Sequence, residues 1–351
     1  MTATTPIRNS RKAFDKMPRH LQPDFVRVGG WYRIGKLLSS GGSGGYKFDL
    51  SGHIFLSFLG SVYLGKDIRT GAEVALKIGR AGHSTSRINH EYNVYKKTAG
   101  STGIPSVRWY GKEGHFEVIV LDHLGTSLGD LVNAQQLDLT KTFFLASQMV
   151  CSLDTYRGLT ELVPQLLAVE SLHNQHYIHR DIKPSNFMVR TDNSAVFLID
   201  FGLAQLFRNP ATYLHAPHSV DHLIVGTLPF MSIAGQQGHA QSRRDDLESL
   251  AYTIICSARG DLPWTNLSYD EEAVLQSKLL TTVEKLCKGL PAPFCAFVNY
   301  VRSLGFDEKP DYQYLQSILS QCVENETAQA SLSSRSPLDI DGAPTIFSDR
   351  V

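Results

Sequence analysis

The residues with the clearest chemical meaning are an aspartate, a lysine and an asparagine in one short run. Asp181, Lys183 and Asn186 stand in the sequence His-Arg-Asp-Ile-Lys-Pro-Ser-Asn. At this spacing the aspartate can accept a hydroxyl proton and the lysine can neutralise charge on a phosphoryl group. The asparagine can bind a metal ion through its side-chain oxygen. The run therefore predicts a catalytic loop for phosphoryl transfer.

A second acidic motif follows this loop. Asp200 opens the triplet Asp-Phe-Gly, fourteen residues after Asn186. Together the two residues are predicted to hold Mg²⁺, which prefers hard oxygen ligands and bridges the phosphates of ATP. Both motifs, in this order and at this interval, indicate a eukaryotic-type protein kinase.

Two charged residues upstream complete the predicted catalytic set. Lys77 ends the strand-like run Val-Ala-Leu-Lys, from which a lysine can reach the α- and β-phosphates. Glu91 lies on the helix predicted next, where its carboxylate can pair with Lys77 and fix the ammonium group. A solvent-facing lysine and an ordinary helix carboxylate are the alternatives.

The nucleotide site is predicted from a glycine-rich loop and from the hinge between two lobes. The loop presents backbone N–H groups to phosphates, and the hinge at 121–124 presents backbone groups to adenine. Ser39 replaces the first glycine of the loop pattern. The predicted ATP-binding residues are Ser39, Gly41, Gly44, Val62, Lys77, Asp122 and Leu124.

The elements that must position these residues are predicted as an α+β, bilobal protein-kinase fold. Residues 26–122 read mostly as strands with one helix near 86–98, and residues 126–322 read mostly as helices. Amphipathic helices are predicted at 244–258 and 272–287. A basic tail over 1–25 and a polar tail over 323–351 are both predicted to be disordered.

Bulk composition excludes several function classes. The 34 basic and 34 acidic residues balance, which gives no general case for binding nucleic acid or membranes. The five cysteines show no CxxC spacing, so free thiols in a reducing compartment are expected. We therefore expect a soluble monomer in the cytoplasm or nucleus, whose partners are protein substrates.

Several segments outside the general signature resemble the casein kinase 1 family. They are 103–109 (Gly-Ile-Pro-Ser-Val-Arg-Trp), 124–128, 242–250, 262–264 (Leu-Pro-Trp) and 306–312 (Phe-Asp-Glu-Lys-Pro-Asp-Tyr). Ser232-Ile233-Ala234 replaces the usual Ala-Pro-Glu and is similar to the family's Ser-Ile-Asn. The resemblance covers about residues 26–320. It implies serine/threonine protein substrates and the use of Mg-ATP.

The chain departs from that family where acidic or pre-phosphorylated substrates would bind. Pro229 stands where the family has an arginine, and 268–272 reads Ser-Tyr-Asp-Glu-Glu in place of a basic stretch. Without those cations a phosphorylated side chain has no charge-assisted partner. The family's preference for acidic substrates is therefore not expected here.

The segment after the metal-binding motif is predicted to form the substrate site. Gly226, Thr227 and the residues to Ile233 would make a shelf for the substrate hydroxyl. Asp246 would begin a buried helix and could bond the backbone of the catalytic loop. An ordinary carboxylate at a helix N-terminus is the alternative for Asp246.

Two segments of 16 residues each, 46–61 and 150–165, interrupt the family spacing. Both can be back-translated with splice-site sequences at their ends, such as GTATGT for Val150-Cys151 and CAG for Gln165. We interpret them as retained introns in the gene model. The alternative is a genuine loop extension plus a longer helix connection, because surface insertions cost little loop entropy.

Two other functions stay open at this stage. The interrupted phosphate loop and the eroded basic site are compatible with a catalytically weak or inactive kinase-fold binding module. Retention of Lys77, Glu91, Asp181, Asn186 and Asp200 argues against it. A small-molecule kinase is disfavoured by the casein kinase 1-like segments.

Overall fold

Strands in the first part of the chain and helices in the second define two lobes. The computed structural model describes eight segments of the chain: 27–40, 60–81, 87–139, 141–142, 168–190, 195–220, 222–267 and 270–333. The predicted basic tail, Gly41, Gly44 and most of both suspected insertions lie outside them.

The first lobe is built on a six-stranded antiparallel sheet. Its strands are β1 Arg27–Val28, β2 Tyr32–Ser40, β3 Ser61–Asp67, β4 Glu73–Arg80, β5 Val107–Glu113 and β6 Phe116–Asp122. They lie in the order β1-β2-β3-β4-β6-β5. In β4, Val74, Leu76 and Ile78 are buried at every second position, as expected for a sheet with two different faces.

One helix, α1 (Arg87–Lys97), packs beside this sheet. Its buried residues are Ile88, Glu91, Val94 and Tyr95, which repeat at helical spacing and so share one face. Glu91 is therefore a carboxylate on the apolar side of an amphipathic helix. Such a group needs a charged partner to be tolerated there.

The second lobe consists mainly of helices around one large apolar core. Leu250, Tyr252 and Trp264 are buried at its centre. The remaining helices are α2 Leu128–Asn133, α3 Ala168–Asn174, α4 Ile233–Gln236, α5 Arg243–Arg259, α6 Glu271–Leu280, α7 Val283–Leu286, α8 Pro293–Ser303 and α9 Tyr312–Ser333.

Two short sheets hold the catalytic loop between them. Their strands are β7 Thr126–Ser127, β8 Tyr177–Ile178, β9 Phe187–Val189, β10 Val196–Leu198 and β11 Gln205–Leu206. The first sheet has the strand order β10-β9-β7, and the second pairs β8 with β11. His179 directly follows β8, Asn186 directly precedes β9, and Asp200 comes two residues after β10.

The predicted fold class is confirmed, but two helix boundaries differ from the prediction. The stretch 272–287 is two helices, because the Thr282 side chain accepts a hydrogen bond from Lys285 N and starts α7 anew. The last helix continues to Ser333, past the point where a disordered tail was predicted to begin.

Cys256, Cys287 and Cys295 are free thiols, as expected. Among the described helices, none is both long enough and apolar enough to cross a lipid bilayer.

Candidate active site

Lys77 lies between two carboxylates from different parts of the chain. Its Nζ is 2.7 Å from Glu91 Oε2 on α1 and 2.8 Å from Asp200 Oδ1. Glu91 is only 1% exposed, and Lys77 is the charged partner that this buried carboxylate needs. The first lobe is thus joined to the Asp-Phe-Gly motif through Lys77.

These contacts set the charge states of the cleft. Burial works to lower the pKa of Lys77, but Glu91 and Asp200 together raise it above its usual value. Burial likewise works to raise the pKa of Asp200, but Lys77 overrides it and holds the pKa at about 2. Near neutral pH, Lys77 is therefore a cation and Asp200 an anion, as phosphate and metal binding require.

Aromatic contacts fix the position of the Asp-Phe-Gly motif. Phe201 packs edge-on against Tyr95, with ring centroids 4.7 Å apart, and against His179 at 5.4 Å. The Tyr95 hydroxyl accepts a hydrogen bond from Asp200 N at 3.3 Å. Asp200 itself has a φ of 67°, an uncommon conformation for a non-glycine residue, and strain of this kind concentrates at functional sites.

The predicted catalytic residues meet at one point of the second lobe. Thr227 Oγ1 donates to Asp181 Oδ1 at 2.6 Å, and Lys183 Nζ donates to Asp181 Oδ2 and to Thr227 Oγ1, each at 2.8 Å. Asn186 Nδ2 donates to Asp181 O at 2.8 Å. Asp181 is thus oriented through both of its carboxylate oxygens. The Asn186 side chain is held through its amide nitrogen, which leaves its amide oxygen to bind another group.

Asp246 supports the catalytic loop from below, as the sequence predicts. Its carboxylate accepts hydrogen bonds from His179 N at 2.7 Å and Arg180 N at 2.9 Å. It also contacts His173 Nε2 at 2.9 Å, and His173 Nδ1 contacts the Tyr312 hydroxyl at 2.6 Å. Burial lowers the pKa of His173, although the hydrogen bond to Asp246 works to raise it. A neutral ring in this position would donate to Asp246 and accept from Tyr312.

The lobes enclose a cleft of about 1010 Å³, and its lining includes Lys77, Glu91, Asp181, Lys183, Asn186 and Asp200. This is the size of a site for a nucleotide. The predicted residues Ser39, Val62, Asp122 and Leu124 line it. Ser39 and Val62 are paired across β2 and β3, so the two sides of the interrupted phosphate loop do meet at the cleft.

The donor set suits a divalent cation of the Mg²⁺ type. Asp200 uses one carboxylate oxygen for Lys77, which leaves the other, and its side chain is 46% exposed to the cleft. The Asn186 amide nitrogen donates to Asp181 O, so the hydrogen bond leaves the amide oxygen to act as a ligand. Carboxylate and amide oxygens are the hard ligands this ion takes beside phosphate oxygens.

Sequence reasoning missed several residues of the cleft. Gly60 (φ 43°) lies against Lys77, where an added Cβ would stand 3.3 Å from Lys77 Cε. The spacing Gly60-Ser61-Val62 reproduces the end of the glycine-loop pattern and could have revealed it. Asp130 also lines the cleft, on α2, where no motif marks it.

Gly226 fits closely over the catalytic loop. Its φ is +119°, and an added Cβ would lie 2.6 Å from the carbonyl oxygen of Arg180. We expect Gly226→Ala to destabilise the fold by roughly 1–3 kcal/mol, from strain and the forced shift of Thr227. Denaturant unfolding measures this loss.

The matched control is Gly260→Ala, at a φ of +85° with no atom within 4 Å of the added Cβ. It carries backbone strain without a clash and is expected to lose about 1 kcal/mol, less than Gly226→Ala. Equal losses for the two variants would show that the Arg180 contact has no effect.

The protein kinase domain family matches residues 58–329, which is most of the chain. The chain therefore belongs to the protein kinase domain family. Members of this family are phosphotransferases that use ATP, as a rule with a divalent metal ion. The match begins at residue 58, close to the start of β3.

Proposed function

We propose that this protein is an active serine/threonine kinase that is similar to casein kinase 1. It transfers the γ-phosphoryl group of Mg-ATP to hydroxyl groups of serine and threonine in proteins. The observation that carries the proposal is the assembled charge network. Lys77 contacts both Glu91 and Asp200, while Asp181 and Lys183 converge on Thr227.

The chemistry follows from where these charges lie. In the proposed reaction the substrate hydroxyl bonds to Asp181, which orients the hydroxyl and accepts its proton. Lys183 is 2.8 Å from Asp181 and neutralises charge that develops on the transferring group. Lys77 holds the phosphates in the first lobe. Asn186 and Asp200 would hold Mg²⁺, which neutralises phosphate charge when bound.

Preference for serine and threonine is supported by Lys183 and Thr227. A lysine two residues after the catalytic aspartate is the pattern of serine/threonine kinases, and Lys183 also bonds to Thr227. The test is phosphorylation of peptide libraries centred on serine, threonine or tyrosine, with small alcohols and sugars as further acceptors. Label on tyrosine alone, or on the small molecules alone, would contradict the proposal.

Removal of the suspected introns provides a second test. We expect a chain lacking 46–61 and 150–165 to be more active than the full chain, because a continuous glycine loop presents its N–H groups to phosphate. Phosphate incorporation measures the difference. Spliced transcripts that retain both segments would contradict the intron hypothesis but leave the kinase proposal standing.

The second candidate is a kinase-fold binding module without catalysis. It is favoured by one observation, the interruption of the phosphate loop between Ser40 and Gly60. The two candidates differ in a direct way. A binding module would bind a nonhydrolysable ATP analogue or a partner protein and transfer no phosphate in either the full or the shortened form.

A further inference from the structure

A buried lysine far along the chain contacts the substrate shelf. Lys278, in the last turn of α6, is 0% exposed. Its ammonium group donates to Leu228 O at 2.8 Å, Met231 O at 2.7 Å and Gln236 Oε1 at 2.9 Å. All three N–H groups are thus used, and two of them bind backbone carbonyls of one short segment.

Lys278 makes these bonds without an ion-pair partner among the residues the structure describes. Glu248, on the neighbouring α5, accepts from the Tyr252 hydroxyl and lies 3.8 Å from Arg302 Nε. Burial lowers the pKa of Lys278 to about 7. The three oxygen acceptors around its Nζ suit the protonated form, because a neutral amine would direct a lone pair at one of them.

Lys278 binds the middle part of the shelf, residues 227–231. It is a tight turn in which Phe230 N donates to Thr227 O at 2.9 Å. Trp264 Nε1 donates to Pro229 O at 2.8 Å, between the two carbonyls that Lys278 binds. The backbone oxygens of Leu228, Pro229 and Met231 are therefore all held by side chains from outside the shelf.

The shelf is continuous with the catalytic residues. Thr227, which follows Gly226 near the start of the shelf, bonds to both Asp181 and Lys183. The usual kinase sequence after the shelf ends in a glutamate, but Ala234 stands there and offers no charged group. Asp245 and Glu248 of α5 accept hydrogen bonds from Ser232 Oγ and Ile233 N, at the end of the shelf. The Lys278 ammonium group binds the carbonyls of Leu228 and Met231, which a carboxylate cannot do because it has no donor.

We propose that Lys278 is a positioning residue that fixes residues 227–231 of the shelf and thereby sets the affinity for the protein substrate. This inference rests on the proposed kinase function. Lys278 is not among the residues that line the nucleotide cleft, so loss of its bonds is expected to change substrate affinity more than nucleotide affinity.

The experiment compares Lys278→Met, which keeps the length of the side chain and removes its donors, with Lys285→Met. Lys285 is an exposed lysine on α7 and serves as the matched control. With dephosphorylated casein as the probe, we expect Lys278→Met to raise KM for casein at least about tenfold, with ATP-analogue affinity unchanged within about twofold. The control is expected to match wild type. An unchanged casein KM in a folded Lys278→Met variant would overturn the proposal.

Hydrogen–deuterium exchange provides a readout that does not need activity. Exchange at 224–232 should be faster in Lys278→Met, while exchange at 177–190 stays at the wild-type rate. If Lys278→Met fails to fold, Gln236→Leu replaces it, since it removes one of the three acceptors and leaves the lysine. Unchanged exchange at 224–232 in the folded variant would overturn the role of Lys278. An inactive wild type would overturn only the kinase function.

Discussion

Replacing Asp200 by asparagine is expected to lower kcat by at least about 100-fold, because it removes a charge that acts on the phosphates. The amide keeps the shape of the side chain but loses the anion needed for the metal ion. Lys77 would still pair with Glu91 at 2.7 Å, so the first lobe should stay docked. Phosphate incorporation and denaturant unfolding, measured on the same preparation, separate catalysis from folding.

Asp261→Asn is the control for this change, because Asp261 is exposed on the loop that follows α5. It should leave both kcat and stability at the wild-type level. An Asp200→Asn enzyme that keeps more than about half of the wild-type kcat would contradict the assigned role, since loss of one such charge-stabilising group costs 10²-fold or more.

Asp246→Ala is expected to produce the largest loss of stability, roughly 3–5 kcal/mol. The substitution leaves the backbone N–H groups of His179 and Arg180, and one His173 ring nitrogen, without their buried partner. A loss of this size is a large share of the stability of an ordinary domain. Denaturant unfolding at neutral pH measures it.

The matched change is Asp270→Ala, at the exposed N-cap of α6, where the side chain accepts only from Ala273 N. It should cost about 1 kcal/mol. Equal losses for the two variants would show that Asp246 is an ordinary helix cap.

The effect of Asp246 also depends on pH. Burial works to raise its pKa, but hydrogen bonds from His173 and His179 N and the nearby imidazoles lower it below the usual value. A carboxylate with a lowered folded-state pKa stabilises the fold above its unfolded pKa of about 4, and this contribution is lost as pH falls through the folded-state value. The gap in stability between Asp246→Ala and wild type should therefore narrow in strong acid.

Residues that carry motifs were the ones sequence reasoning could place. Asp181, Lys183 and Asn186 share a loop of fixed chemistry, and Lys77 and Glu91 follow from the order of strand and helix. The contact of Asp246 with the backbone of the catalytic loop could also be predicted, because the run 242–250 indicates a buried helix that begins with acidic residues. Short spacing and strong residue preferences make such features readable without a fold.

Contacts between distant segments could not be read in this way. Nothing near Lys278 in the sequence shows that its side chain reaches carbonyls 47 and 50 residues earlier. The break between α6 and α7 depends on the single cap at Thr282, which a continuous amphipathic pattern hides. Gly60 lies inside the suspected insertion 46–61, so its place at the end of the glycine-loop pattern is not evident from the family spacing.

Catalysis is tested by transfer of labelled phosphate from Mg-ATP to dephosphorylated casein by the purified chain, with and without 46–61 and 150–165. We expect label on serine or threonine in at least one of the two forms. We also expect that label to be lost when a chelator removes the divalent ion or when Asp200 is replaced by asparagine. Binding of an ATP analogue without any transfer in either form would contradict the proposed kinase activity and leave a binding module as the better description.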